Sequence, residues 1–256
     1  MGAALRDRTI GIIGTGRVGS VLAAALTEAG HTVSTGQPAE ITIIAVPDDA
    51  LASVVAGLDV KPGQVVAHTS GAHGLGVLAP AVARGARPLA VHPAMTFTGQ
   101  PEDVARLRKG IPFGVTAPPD VRPLAEELVR DLGGTPEWIA DEHRTLYHAA
   151  LAHGANHLVT LVNEAVDRLR DAGVTHPERV LDPLLHAALD NALRLGDAAL
   201  TGPVSRGDPD TVAAHLAALA PESVPAYRAL ARRTAERALA AGRITAAQAA
   251  AIEELT

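Results

Sequence analysis

The segment Gly14-Thr15-Gly16-Arg17-Val18-Gly19 follows an apolar run, Thr9 to Ile13, and leads into a helical stretch, Val18 to Ala29, that Gly30 stops. A G-x-G-x-x-G turn in that setting constrains the chain more than any other feature. Gly14 permits the tight turn, Gly16 lets backbone approach a pyrophosphate, and Gly19 lets helix and strand pack closely. The phosphate then meets unpaired N–H groups and the positive end of the helix dipole. The plainer alternative is a tight strand–helix turn with no ligand.

The turn sits in a regular alternation. Further strands are predicted at His31–Thr35, Ile41–Val46, Gln64–His68, Pro88–His92 and Phe113–Ala117, with helices at Asp49–Leu58, Leu75–Arg84 and Pro119–Leu132. Continuous apolar strands alternating with helices imply a doubly wound parallel sheet covered on both faces. After Gly133-Gly134-Thr135-Pro136 the pattern becomes helical: Asp141–Ala172, Pro177–Leu200, Pro209–Leu219, Pro221–Ala241 and Thr245–Leu255. Asp208-Pro209 supplies an N-cap with proline at the first helical position, and Thr245 with Gln248 makes a capping box. The expected architecture is therefore an α/β Rossmann-like domain over 1–140 and an all-α domain over 141–256.

One spacing is abnormal. Only Gly36 to Glu40 separate the second and third strands, whereas a parallel crossover normally needs about a dozen residues. Either the crossover is a short extended stretch or the second strand is misplaced. The second strand also ends Val33-Ser34-Thr35-Gly36, without the acid that binds an adenosine ribose about twenty residues beyond the glycines. An acid there would repel a 2′-phosphate, so its absence leans towards NADP over NAD. Arg17 either supplies charge to that phosphate or is a solvated first-turn arginine.

In open α/β sheets ligands sit at the carboxyl ends of the strands. Val46-Pro47-Asp48-Asp49, His68-Thr69-Ser70-Gly71 and His92-Pro93 fall there. Asp48 or Asp49 is most simply a helix cap. Ser70 is either a turn residue or a hydroxyl beside a nicotinamide or carboxylate. His92 is either a proton donor or a satisfied buried histidine. In the helical domain His148, Ala152 and Asn156 share a broad face at i, i+4, i+8, continued by Thr160 and Asn163. Leu151, Leu158, Val162, Val166 and Leu169 are expected to be core. His153 and His157 have metal-ligand spacing but no third ligand to match, so no metal is expected. Thr201 to Asp208 joins two helices. Capping explains Gly202 and Asp208 but not Arg206, which could anchor a carboxylate through a bidentate contact.

Composition narrows the partners. A net charge of -6 over 256 residues argues against a broad nucleic-acid or anionic-membrane surface. Aromatics make up 2%, so base-stacking platforms are not expected. There is no cysteine, which excludes disulfides and thiol chemistry and fits a reducing, cytoplasmic setting. No apolar run approaches the roughly 18 residues of a membrane span.

The motifs GIIGTGRVG at 11–19, IAVPDDAL at 44–51, VAHTSGA at 66–72, HPAMTF at 92–97, YHAALAHGANH at 147–157 and LTGPVSRGD at 200–208 resemble the family that pairs a Rossmann-like domain with domain of unknown function 2520. The resemblance covers essentially the whole chain, and the last two motifs are its most specific. It implies an NAD(P)-dependent oxidoreductase related in architecture to pyrroline-5-carboxylate reductase and 6-phosphogluconate dehydrogenase. Some members resemble an alternative ketopantoate reductase. It also implies a substrate between the domains and a homodimer formed through the helical domain. Cofactor contacts are then expected at Gly14, Thr15, Gly16, Arg17, Val18, Gly19, Ser34, Val46, Pro47 and Ser70. Lysine donates the proton in better known relatives, but the helical domain has none; Lys61 and Lys109 are the two in the chain. His148 or His92 is the expected donor, Asn156 or Thr201 would orient a carbonyl, and Ser70, Thr201 and Arg206 would hold the substrate. Reduction of a small 2-keto acid is the leading expectation. An imine reductase is the alternative, and a ligand-binding protein with a degenerate Rossmann site is the non-enzymatic one.

Overall fold

Strands that are apolar on both sides must be covered on both sides, and the first part of the chain is built that way. The computed structural model describes residues 8–256. They form two units, one running through residue 155 and the other from 156 to 256. The first holds β1 (Ile10–Ile13), β2 (Val33–Thr35), β3 (Ile41–Ile44), β4 (Val65–His68), β5 (Arg87–Pro93), β6 (Pro112–Thr116) and β7 (Thr135–Trp138). They make one seven-stranded sheet in the order β2-β1-β3-β4-β5-β6-β7. The order reverses at β1, which places a switch point beside the glycine turn.

Side-chain alternation sorts the core onto two faces. Ile10, Ile12, Ile41, Ile43, Val65, Ala67, Leu89 and Val91 pack under α1 (Arg17–Glu28) and, further along, α4 (Glu102–Leu107) and α5 (Arg122–Asp131). Ile44 and Val66 point the other way, under α2 (Asp48–Gly57) and α3 (Ala79–Val82), the latter entered through a 3₁₀ turn at Leu75–Leu78.

The short crossover is real, and β2 pairs in parallel with β1 where the sequence places it. Residues 36–40 run as bare chain across the sheet with no helix. Gly11 makes this fit: a Cβ there would lie 2.3 Å from the Gln37 carbonyl oxygen and 2.9 Å from the Ala39 nitrogen. Its neighbour Thr42, fully buried, donates its hydroxyl to the Ala39 carbonyl at 3.1 Å. Gln64 Nε2 donates to the same carbonyl at 2.9 Å. Side chains and a missing side chain thus do what a crossover helix would otherwise do.

Several expectations need correction. A seventh strand, β7, occupies the stretch read as a domain junction. It is an exposed edge strand carrying Pro136 and Glu137, a composition tolerated only at an edge. The sheet is not wholly parallel, because β6 runs antiparallel to β5. Helix α4 lies in a stretch for which no element was expected. The single helix expected over 141–172 is a 3₁₀ turn (Asp141–His143), α6 (Arg144–Leu151), a π turn (Ala152–Asn156) and α7 (His157–Asp171). Gly154 lies inside that π turn, where glycine weakens regular helix.

The second unit continues with α8 (Pro177–Leu195), α9 (Pro203–Arg206), α10 (Pro209–Ala218), α11 (Val224–Ala240) and α12 (Ala246–Glu253). Thr245 and Gln248 form the expected capping box, and Asp208 accepts a hydrogen bond from the Thr211 N–H. Its core is Val204, Val212, Ala231, Ala235, Ala238, Ile244, Ala249 and Ile252. Helix α7 contributes no buried residue, so Leu158, Val162, Val166 and Leu169 are not the core they were expected to be. Among the described residues no helix is long and apolar enough to cross a membrane.

Gly11→Ala is expected to cost about 1–3 kcal/mol of unfolding free energy, because the crossover backbone must move. Urea denaturation checks this; an unchanged midpoint would show that the crossover does not rest on Gly11.

Candidate functional site

The carboxyl ends of β1, β3, β4 and β5 share one edge of the sheet, and the polar motifs gather there. The first is the glycine turn. Gly14 has φ +104°, and a Cβ on it would lie 2.4 Å from the Ala45 carbonyl oxygen. A Cβ on Gly19 would meet the Gly14 carbonyl oxygen at 2.0 Å. Nothing lies within 4 Å of the Cβ position of Gly16, which caps α1 without any side-chain hydrogen bond. The first N–H groups of a twelve-residue helix therefore open onto unfilled space, the arrangement a pyrophosphate needs. Thr15 and Arg17 are exposed, Val18 is half-buried, and Val46 lies against Gly14. Pro47 caps α2 from outside, and Ser34 is exposed at the end of β2.

Arg17 turns to the loop after β5. Its guanidinium donates to the Phe97 carbonyl at 3.3 Å, and its stem passes where a Gly99 side chain would be. That loop is pinned by the buried Asp103 carboxylate, which accepts from the Thr98 and Gly99 N–H groups at 2.7 and 2.8 Å.

The second cluster lies further along the same edge. His92 and Gly114 are directly paired across β5 and β6, so they share a face. A side chain on Gly114 would strike the Tyr147 ring and hydroxyl at 2.6 Å. The missing side chain lets Tyr147 lie on the sheet, where its hydroxyl shares a 3.0 Å hydrogen bond with His92 Nδ1. His148 meets His92 edge-on, ring centroids 6.1 Å apart. Gly71 backs onto both imidazoles; a Cβ there would lie 2.6 Å from His148 and 3.1 Å from His92. Ser70 serves as a turn residue: its hydroxyl accepts the His73 N–H at 3.1 Å and contacts His73 Nδ1 at 3.0 Å. Asp48 Oδ2 lies 3.7 Å from the same nitrogen.

Beneath these groups lies Arg144, 1% exposed. Its Nε donates to the His73 carbonyl at 3.1 Å, Nη1 to the Gly114 carbonyl at 2.9 Å, and Nη2 to the Ser70 carbonyl. The guanidinium carbon is 5.7 Å from the centre of the Tyr147 ring. Sequence reasoning missed both Arg144 and Tyr147. The available signal was a cation in the first turn of a helix, where it opposes the dipole and needs another reason to be there.

Burial and the Arg144 charge set the protonation states. His92 is pushed down to about 4, by desolvation first and Arg144 second. His68, fully buried with Nε2 3.1 Å from the Gly74 carbonyl, is likewise pushed down to about 4 by desolvation first. Burial raises Tyr147 above the usual phenol value, with Arg144 pulling the other way. At neutral pH His92 and His68 are therefore neutral, the Tyr147 phenol is protonated, and Arg144 is a buried cation.

The remaining expected residues lie in the second unit. Asn156 ends the π turn, Thr201 is exposed ahead of Gly202, and Arg206 is exposed at the end of α9. The carbonyl of Arg206 accepts from Gln248 Nε2 at 3.2 Å.

Two family models match the chain: a Rossmann-like domain over 34–93 and domain of unknown function DUF2520 over 111–234. Among curated proteins, none matches the chain in sequence. Solved structures share the fold. BF3122 from Bacteroides fragilis, a candidate NADP oxidoreductase, is 21% identical with a TM-score of 0.75, covering 90% of this chain and 99% of its own. Protein TM1727 from Thermotoga maritima is 19% identical with a TM-score of 0.72, covering 90% and 98%. A reductive aminase from Aspergillus terreus, in complex with NADPH and ethyl levulinate, is 18% identical with a TM-score of 0.66, covering 97% and 99%.

The two depressed imidazoles give an acid signature. Unfolded, they titrate near 6.5; folded, near 4. Between those values the unfolded chain holds more protons, so their stabilisation is present above about 6.5 and is lost as pH falls. Unfolding free energy is expected to drop by on the order of 1 kcal/mol per pH unit for each imidazole across that window. His92→Gln should flatten the slope in denaturation at stepped pH, and an unchanged slope would contradict the depressed value. Motifs, sheet order and domain matches agree: the chain joins a Rossmann-like domain to domain of unknown function 2520.

Proposed function

We propose that this protein is an NADP-dependent reductase of a small carbonyl or imine compound, with a 2-keto acid such as ketopantoate as the first substrate to test. One observation carries the reading. A glycine turn open to a pyrophosphate and a Tyr147–His92 hydrogen-bonded pair stand at the same edge of one sheet. Among the similar structures, an NADP oxidoreductase and a reductive aminase in complex with NADPH support the same cofactor. The lack of an acid at the end of β2 favours NADP over NAD.

NADPH, when bound, supplies the hydride. Gly14, Thr15, Gly16, Arg17, Val18 and Gly19 would hold its pyrophosphate, Ser34 its adenosine end, and Val46, Pro47 and the Ser70 turn its nicotinamide end. Tyr147 would donate the proton, since it is the protonated acid of the cluster at neutral pH. His92, neutral and bonded to the phenol, would orient that hydroxyl and return the proton to it. His148 would close the other side of the reacting carbon. Thr201 or Asn156 would orient the carbonyl, and Arg206 would hold the substrate carboxylate. An imine substrate is the second reading, favoured by the Aspergillus terreus reductive aminase and by an imine reductase from Pseudomonas sp. among the similar folds.

The protein is further proposed to be a cytoplasmic homodimer. Helix α7 buries no residue, and α8 buries only Pro177 and Leu181. Leu184 and Leu193 are 62% and 81% exposed, an apolar surface that a second copy would cover. The cysteine-free chain suits a reducing compartment.

Calorimetric titration tests the reading first. Micromolar binding of NADPH with clearly weaker NADH is expected; binding of neither would favour a non-catalytic ligand-binding protein. Tyr147→Phe should lower kcat by about 10²–10⁴ while leaving NADPH affinity unchanged, and Arg206→Ala should raise KM for the keto acid. Light scattering should give a dimer that Leu193→Asp disrupts, and a monomeric parent protein would remove that proposal.

A further inference from the structure

The buried guanidinium of Arg144 has only neutral partners. Its three hydrogen bonds go to the carbonyls of Ser70, His73 and Gly114. Among the described residues none of the ion pairs involves it. Asp141, three residues earlier, tempers the charge, but its carboxylate is bonded to the Leu75 N–H at 2.6 Å. An unpaired charge out of water is expensive to keep. The Tyr147 ring centre is 5.7 Å from this charge, and the Tyr147 hydroxyl is bonded to His92.

We infer that the site is built for a neutral carbonyl whose oxygen gains negative charge during reduction, and against an iminium that arrives already positive, because Arg144 places an uncompensated cation behind the proton donor. This rests on the reductase reading. In the step, the hydride adds to the carbonyl carbon with its two electrons. The π pair of the C=O bond moves to oxygen, and the Tyr147 O–H bond breaks to deliver its proton there. An alcohol, an oxidised nicotinamide and a tyrosinate result, and the tyrosinate regains a proton through His92. Arg144 favours both transient anions, the oxygen and the phenolate. An iminium needs the hydride alone, and its own charge is the one Arg144 repels. Arg144 touches neither reactant, so it is a positioning and electrostatic residue rather than a catalytic one.

The first test needs no cofactor. The chain has two tyrosines, so Tyr227→Phe leaves Tyr147 as the sole tyrosinate signal in an absorbance titration. The titratable and charged groups around it are Arg144 and His148 on α6, Asp141 in the turn before it, His92 on β5, His68 at the end of β4, His73 in the loop that follows, and Asp48 at the start of α2. In that background Arg144→Gln should raise the Tyr147 midpoint by about one pH unit or more, a tenfold change, and Arg144→Lys should restore most of it. Equal midpoints for Arg and Gln would overturn the inference. The second test compares kcat/KM for a 2-keto acid and a five-membered cyclic imine with NADPH, at a pH where the imine is protonated. The unmodified enzyme should favour the keto acid by about a hundredfold or more, and Arg144→Gln should shrink that ratio. A structural collapse would lower both rates and leave the ratio unchanged. Preference of the unmodified enzyme for the cyclic imine would overturn the inference while leaving the reductase reading intact. Absence of NADPH binding would instead overturn the reductase reading, and the tyrosinate titration would still decide the role of Arg144.

Discussion

The buried Arg144 guanidinium joins three pieces of chain that sequence keeps far apart. It ties the first turn of α6 to the loop after β4 through Ser70 and His73, and to β6 through Gly114. Ser70 and His73 lie in the loop beyond β4, where strand pairing has ended and carbonyls need other donors. A lysine would keep the charge but not the three-way tie, since it lacks the planar fork that reaches three acceptors at once. The same contacts seat Tyr147 one turn along the helix. The site's geometry and electrostatics therefore both rest on one side chain, and three carbonyl acceptors offset part of the cost of burying it.

Glycines decide where other groups come close. Gly11 lets the bare crossover lie on the sheet, Gly114 lets Tyr147 lie on β6, and Gly71 lets two imidazoles approach the backbone. Each works by an absent Cβ, and in each case the approaching group is one the site or the fold uses. Gly14 adds the separate demand of a left-handed backbone. The glycine turn and the aromatic cluster share a construction rule: the sheet edge is shaved of side chains wherever something must touch it. The crossover also bears on the cofactor, since it frees the space beyond β2 of the helix that usually stands there, leaving Ser34 and Thr35 exposed.

The strands were legible because β1, β3 and β4 are apolar on both faces and bounded by turn residues. The glycine turn was legible because its context was complete. What could not be read has physical causes. β7 carries Thr135, Pro136 and Glu137, which read as loop, and only its place beside β6 makes it a strand. The antiparallel turn of β6 depends on α4, whose short, charged sequence has little helical periodicity. The π turn at 152–156 is invisible to a pattern that assumes a constant 3.6 residues per turn. His92 was found from its position at a strand end, but its partner Tyr147 is 55 residues away and meets it only in the fold. Ser70 had two readings, and the structure displays the turn role directly.

The helical unit shows how an alanine-rich sequence misleads about burial. Leu158, Val162, Val166 and Leu169 on α7 read as core, yet the buried stripe is Ala231, Ala235 and Ala238 on α11. Small side chains let α11 and α12 approach closely, so a tight core forms from residues that individually bury little area. Val204, Val212, Ile244 and Ile252 complete that core around the alanines. On α7 and α8, by contrast, larger apolar side chains stay outside, where Val159 and Leu184 are 59% and 62% exposed. In most chains burial rises with size; these two helices depart from that trend, and their apolar surface is the one the proposed second copy would cover. Near the junction of the two helices Arg170 pairs with Asp167 and Glu178.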